Sequence, residues 1–142
     1  MSTSTNKAAA IEVHTRLLPG NLEAPLASVL APGFHDHDPL TRGTDDAVGL
    51  VATMHWLSNA FSDQRVEVLH AVAEGELVAL HVAFTARHTG YFRGIAPTGR
   101  TFTIHEMHML RFAQGREVEH WAVRDDATLV ALLTGPGPAR QG

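Results

Sequence analysis

Two strand-length runs, Thr101 to Phe112 and Glu117 to Asp125, are separated by a short turn at Gln114-Gly115. A turn that short joins antiparallel neighbours, so the spacing predicts a β-hairpin late in the chain. Successive strand residues point to opposite faces. Counted outward from a two-residue turn, Ala113 faces Arg116, His108 faces Trp121, Glu106 faces Val123 and Ile104 faces Asp125. One face then carries Phe102, Ile104, Glu106, His108, Leu110, Trp121, Val123 and Asp125. The other carries Thr103, His105, Met107, Met109, His120 and Arg124. A carboxylate on a largely apolar face is costly unless it has a partner or a task.

The rest of the chain supplies neighbours for this hairpin. Val66 to Val72 and Leu77 to His88 alternate as strands around a Glu74-Gly75 turn, and a glycine-rich loop runs from Gly90 to Arg100. Upstream the period changes. Ala10, Ile11, Val13, Leu17 and Leu18 predict a helix over Lys7 to Leu18, stopped by Pro19-Gly20. Leu22 to Leu30 reads as a short second helix. Phe34 to Pro39 reads as a loop or short strand. Leu50, Met54, Leu57 and Phe61 recur at steps of four, three and four, predicting a helix from about Asp45 to Phe61 capped by Thr44. Helices first and antiparallel strands after is the α+β pattern. Helices on one side of a strongly bent sheet leave a cone whose floor is the concave face. The expected division is a disordered N-terminus at 1–6, one domain at 7–134 and a flexible tail at 135–142.

A length of 142 residues suits one domain with a core large enough to hold a cavity. The net charge of −4 is spread along the chain, without the basic cluster that nucleic acid requires. Cysteine is absent, which excludes disulfides, thiolate metal sites and a cysteine nucleophile. No apolar run is long enough for a membrane span or a secretory leader, so a soluble cytoplasmic protein is expected. Ten histidines make a site of imidazole and carboxylate plausible.

The hairpin face carrying Glu106, His108 and Asp125 reads as the lining of a small-molecule pocket, with Trp121 and Phe102 as flat apolar walls. A buried carboxyl tuned upward can take a proton from carbon and return it to oxygen. The competing reading has Glu106 and Asp125 solvated at sheet ends and His108 packed in a core. Asp126 competes with Asp125, and Asp125 also suits the cap of a following helix. His37 is expected to reach inward from the Phe34 to Pro39 segment, and His88 to line the pocket rim. His35 and His37 could form half a metal site, but no third ligand stands at a recognisable spacing, so no metal or cofactor is expected. His55 and Trp56 read as packing residues, and His70 and His81 as strand residues with no chemical role.

These residues carry a resemblance. Phe34-His35-Asp36-His37-Asp38-Pro39, Ala60 to Asp63, Glu74-Gly75-Glu76, His88 to Arg100 and Leu110 to Trp121 followed by Asp125 resemble the SnoaL-like polyketide cyclase family. That family lies within the nuclear transport factor 2-like superfamily. The resemblance spans about residues 34 to 133. It implies an α+β cone, dimeric or higher, without a cofactor, that closes rings in aromatic polyketides by intramolecular aldol condensation. It further implies a pocket aspartate acting as acid and base, matched by Asp125. A polar strand residue facing the pocket is matched by His108, with His105 as rival. Two departures stand out: Ala131 to Gly135 replaces a Gln-Leu-Gly segment, and Ser62 replaces a usual proline. Three activities follow as expectations: cyclisation of a β-dicarbonyl substrate, epoxide hydrolysis or assistance to hydroxylation, and a non-catalytic binding or dimerisation module. Epoxide hydrolysis requires an arginine between two carboxylates, and the simple register turns Arg124 away from the pocket.

Overall fold

The structure is a computed structural model, and it describes residues 2–16 and 28–137. Helix α1 spans Thr3–Arg16 and strand β1 spans Leu30–Asp36. Helix α2 (Ala47–Ala60) leads directly into β2 (Phe61–Glu74). Strands β3 (Leu77–His88), β4 (Thr101–Ala113) and β5 (Arg116–Arg124) follow, and α3 (Asp126–Thr134) comes last. The five strands form one curved, mixed sheet in the order β1-β5-β4-β3-β2. Strand β1 runs parallel to β5, every other pair is antiparallel, and the sheet does not close. This is the expected α+β architecture.

Local chemistry explains the element ends. The Ser2 hydroxyl accepts from the Thr5 N–H at 3.1 Å and caps α1, which therefore begins at Thr3 rather than Lys7. The cap of α2 is Asp46 rather than Thr44. Its Oδ1 accepts from the Val48 and Gly49 amides at 3.1 and 3.2 Å, while the Thr44 hydroxyl donates to the same oxygen. The second expected helix falls mostly on residues outside those described, and Leu30, its expected last residue, opens β1. Among the described residues no helix is long and apolar enough to cross a membrane.

The concave face of the sheet carries the core. Val78, Leu80, Val82, Phe84 and Ala86 alternate inward along β3 and are all buried. Burying each large one contributes about 1.5–3 kcal/mol. Helix α1 covers one part of this face, placing Ala10 on Val78, Leu80, Leu110 and Phe112. Helix α3 covers another, placing Leu129 and Leu133 on Phe61, Phe84, Phe102 and Ile104. Val13 of α1 joins Leu30 and Phe34 of β1 beside Leu50 and Met54 of α2. A cavity lies between the helices and the sheet, lined by residues of α1, α2 and α3.

The loop from Gly90 to Arg100 is fixed to both helix ends that border it. Gly90 lies so close to α2 that a Cβ would fall 1.8 Å from the Asn59 carbonyl oxygen, which requires glycine. Phe92 anchors the loop in the core against Phe61 and Trp56, leaving Tyr91 exposed. Arg100 donates from Nη1 to the carbonyls of Leu132 and Gly135, both at 2.8 Å, closing the C-terminal end of α3.

Candidate active site

The hairpin turn forms as expected, with Ala113 opposite Arg116 and Phe112 opposite Glu117. The register then slips by one residue, and Arg111 faces Glu119 instead of Val118. Val118 is the extra residue of a β-bulge, so every later side chain of β5 changes face. Glu117 and His120 both point inward, three residues apart. Beyond them Arg124 faces Glu106, Val123 faces Met107 and Trp121 faces Met109.

The cavity holds about 140 Å³, many times the roughly 10–15 Å³ needed for one water, so it has room for more than an ordered water. Leu50, Met54 and Leu57 of α2, Phe84 and Ile104 of the sheet, and Phe92 of the loop give it apolar walls. The apolar stripe that predicts α2 is therefore a cavity wall. Polar groups gather at one side: His14 of α1, Asp38 after β1, Glu106 and His108 of β4, Glu117, His120 and Arg124 of β5, and Asp126 of α3.

These groups are hydrogen-bonded in a row. Asp36 Oδ1 accepts from His120 Nδ1 at 2.9 Å. His120 Nε2 meets His108 Nδ1 at 2.8 Å, and His108 Nε2 meets Glu106 Oε1 at 2.9 Å. Arg124 Nε lies 3.4 Å from Glu106 Oε2, and Arg124 Nη1 donates to Asp38 at 2.5 Å. Asp36, Glu106, His108 and His120 are each under a tenth exposed. Burial pushes the Glu106 carboxyl up against the pull of Arg124. It pushes the His108 imidazole well down, with the His120 charge adding to the effect. Burial also opposes charge on His120, but the Asp36 hydrogen bond outweighs it and His120 rises. Asp36 falls because the same contact overcomes its own burial. The Glu117 side chain carries no hydrogen bond or ion pair among the described residues, and burial raises its carboxyl to about 7.

The structure sorts the sequence candidates. Glu106 and His108 face the cavity together, and His105 points to the other side of the sheet. Asp125 does not face the cavity. The bulge turns it out, and it caps α3, accepting from the Thr128 amide at 3.1 Å and the Thr128 hydroxyl at 2.6 Å. Those bonds hold its carboxyl below the usual range. Its neighbour Asp126 lines the cavity instead. Trp121 is turned out by the same bulge and stacks on His37 at 4.8 Å. His37 lies on the outward side of its segment, bonded to Glu119 at 2.7 Å, while Asp36 and Asp38 take the inward positions. Phe102 is in the core, packed on Phe61 and Phe84 rather than lining the cavity. His88 is fully buried away from the cavity, where its Nδ1 accepts from the Thr98 amide at 3.2 Å. Asp36, Asp38, His120 and Arg124 are the residues the sequence reading left out. For His120 and Arg124 the signal lay in charge pairing: the bulged register places Arg111 beside Glu119 at 2.6 Å, whereas the simple one buries Glu119.

Known proteins resemble this chain in sequence and in fold. The family model described as SnoaL-like polyketide cyclase matches residues 11–133. Aklanonic acid methyl ester cyclase DnrD of Streptomyces peucetius is 30% identical over 114 residues, covering 80% of this chain and 77% of that protein. The corresponding cyclase DauD of Streptomyces sp. (strain C5) is 30% identical over 118 residues, covering 82% and 71%. Among solved structures, AclR of Streptomyces galilaeus, a proposed hydroxylase, superposes with a TM-score of 0.82 at 28% identity, covering 99% of this chain and 87% of that one. IdmH of Streptomyces antibioticus, a proposed polyketide cyclase, gives 0.75 at 30%, covering 92% and 97%. With the matching model running through both walls of the cavity and the row of buried titratable groups, the chain belongs to the SnoaL-like polyketide cyclase family.

Proposed function

We propose that this chain closes a ring in a polyketide by intramolecular aldol condensation, with Glu106 as the base. The observation that carries this reading is a carboxyl held between an imidazole and a guanidinium at the wall of an apolar cavity. The α-proton between two carbonyls is already acidic, so one positioned carboxylate suffices. The carbon–hydrogen bond breaks, its proton goes to Glu106 and its electron pair moves to the enolate. The enolate carbon attacks a second carbonyl of the same molecule, and the new alkoxide recovers the proton from Glu106. Arg124 has five N–H donors, and those not engaged by Asp38 and Glu106 are placed to stabilise the enolate oxygen. The relatives named for aklanonic acid methyl ester support an aromatic polyketide ester as substrate. Incubation with aklanonic acid methyl ester tests this. Glu106→Gln is expected to lower kcat by about 10²–10⁴, and full turnover in a folded Glu106→Gln variant overturns it.

A second reading is favoured by one observation. Arg124 lies in the cavity with Asp38 on one side and Glu106 on the other, the arrangement that water addition to an epoxide requires. Incubation of an epoxide in ¹⁸O-labelled water separates the two readings, because only hydrolysis places the label in product.

We also infer that the chain self-associates through the outer face of its sheet. Met107, Met109 and Val123 are exposed there, and Met107 and Val123 are direct cross-strand partners.

A further inference from the structure

The row of hydrogen bonds does not end at the cavity wall. Asp36 is buried and is not among the lining residues, yet it is joined to Glu106 through two imidazoles. The His108 and His120 rings are within 18° of coplanar, with centroids 5.1 Å apart and facing nitrogens 2.8 Å apart. The rings therefore meet head-on, nitrogen to nitrogen. A proton fits that gap. A metal ion does not, because ligating nitrogens stand about 2.0–2.1 Å from the ion and converge on it at an angle.

Donors and acceptors permit two arrangements with the same number of protons. In one, His120 is protonated on both nitrogens and donates to Asp36 and to His108 Nδ1. His108 then donates from Nε2 to an ionised Glu106. In the other, Glu106 is protonated and donates to His108 Nε2. His108 donates from Nδ1 to His120 Nε2, and His120 donates from Nδ1 to Asp36. Conversion of the second into the first moves the Glu106 proton to His108 Nε2 and the His108 Nδ1 proton to His120 Nε2. Only O–H and N–H bonds change, and the counter-charge to Glu106 comes to rest on His120, beside Asp36.

That counter-charge matters because Arg124 divides its charge between Asp38 and Glu106. The other ionisable groups that face the row are His14 from α1, Glu117 from β5 and Asp126 from α3. Neither Glu117 nor Asp126 can supply positive charge, and burial holds the His14 imidazole in its neutral form. His120 is the other cation within reach of the row, and among the described residues only Asp36 stands behind it at hydrogen-bond distance.

We propose that Asp36 is a positioning residue that decides, through His120 and His108, whether Glu106 rests as a carboxylate able to act as base. The proposal rests on Glu106 being the base of the cyclisation. Its test does not depend on turnover alone. Imidazole ¹⁵N NMR of the ligand-free protein at neutral pH is expected to find His120 protonated on both nitrogens and His108 on Nε2. Asp36→Asn keeps the shape and the acceptor oxygen for the Asp38 amide while removing the charge. In that variant His108 is expected to carry its proton on Nδ1 and His120 on Nδ1 alone. With aklanonic acid methyl ester, kcat is expected to fall at least tenfold at neutral pH with KM within about twofold, and the acid limb of the kcat profile to move up by about one pH unit. Unchanged protonation of both rings in a folded Asp36→Asn variant overturns the proposal. So does a wild-type protein with His120 singly protonated and His108 protonated on Nδ1, a result that stands even if the variant does not fold. If the rings respond as expected but Glu106→Gln retains full turnover, the row stands and the cyclase assignment of Glu106 falls.

Discussion

Asp125 and Glu106 are both carboxylates of the same hairpin, and they differ in what surrounds them. Asp125 spends its oxygens on the first turn of α3, where an anion also meets the positive end of the helix dipole. Asp125→Ala is therefore expected to lower Tm while leaving turnover within about twofold, and a loss of turnover like that of Glu106→Gln would reverse the assignment. Glu117 makes a third case. It sits in the cavity wall without a hydrogen bond or ion pair among the described residues, and its carboxyl is raised from 4.5 to about 7. A group whose folded value is raised favours the fold below its unfolded value and loses that advantage as pH rises through the folded one. Between pH 4.5 and 7 the folded protein must hold a proton that the unfolded chain releases. Stability should therefore decline by about 3 kcal/mol across that window through this group alone. Denaturant titrations at several pH values are expected to flatten in Glu117→Gln, and an unchanged slope would show that the wild-type carboxyl is already ionised.

The elements show where a sequence is readable and where it is not. Turns, strand runs and the α2 stripe follow from period and glycine placement, and the strands of the hairpin lie where alternation puts them. The inward set of β4, from Phe102 through Glu106 and His108 to Leu110, is also legible, because β4 carries no irregularity across it. Strand β5 is different. A single extra residue at Val118 reverses all that follows, and period-two patterning carries no mark of an insertion. Trp121 and Asp125 are therefore read inside and found outside, while His120 and Arg124 are read outside and found inside. Asp36 and Asp38 are missed for another reason: β1 pairs in parallel with β5, a contact between distant parts of the chain that no local spacing announces. The Pro97-Thr98-Gly99-Arg100 motif is legible as a pattern but not as a purpose. The structure gives it one: Thr98 holds His88, and Arg100 holds the carbonyl end of α3, which roofs the cavity with Leu129. Arg100→Ala is expected to cost about 1.5–3 kcal/mol, measurable by chemical denaturation. Arg100→Lys should recover part of it, because one ammonium can still reach a carbonyl. Equal loss in both would mean that the planar two-carbonyl contact is what counts.

At the scale of the molecule the bent sheet has two faces with different tasks. The concave one is spent on the core and the cavity, with α1, α2 and α3 over it. The convex one has no helix of its own among the described residues, yet it is not a polar surface. Met107 is 50% exposed, Met109 41% and Val123 73%. Trp121 lies opposite Met109 and is half-covered by His37. Beside this patch His70, His81 and His105 form a hydrogen-bonded row across β2, β3 and β4. A contiguous apolar patch on a sheet is a surface that wants a partner, and a stable one buries about 800 Å² per side. A second copy of the same chain would match methionine with methionine about a twofold axis, each patch covering the other. The same bulge that turns His120 and Arg124 into the cavity turns Trp121 and Val123 onto this outer face, so one extra residue builds both surfaces. Light scattering on the purified chain is expected to give twice the 15.4 kDa chain mass. Val123→Glu places a charge at the most exposed point of the patch and makes no contact with the cavity. It is expected to return the mass to that of one chain and to leave Glu106-dependent turnover in place. A wild-type mass of 15.4 kDa at micromolar concentration would overturn self-association through this face.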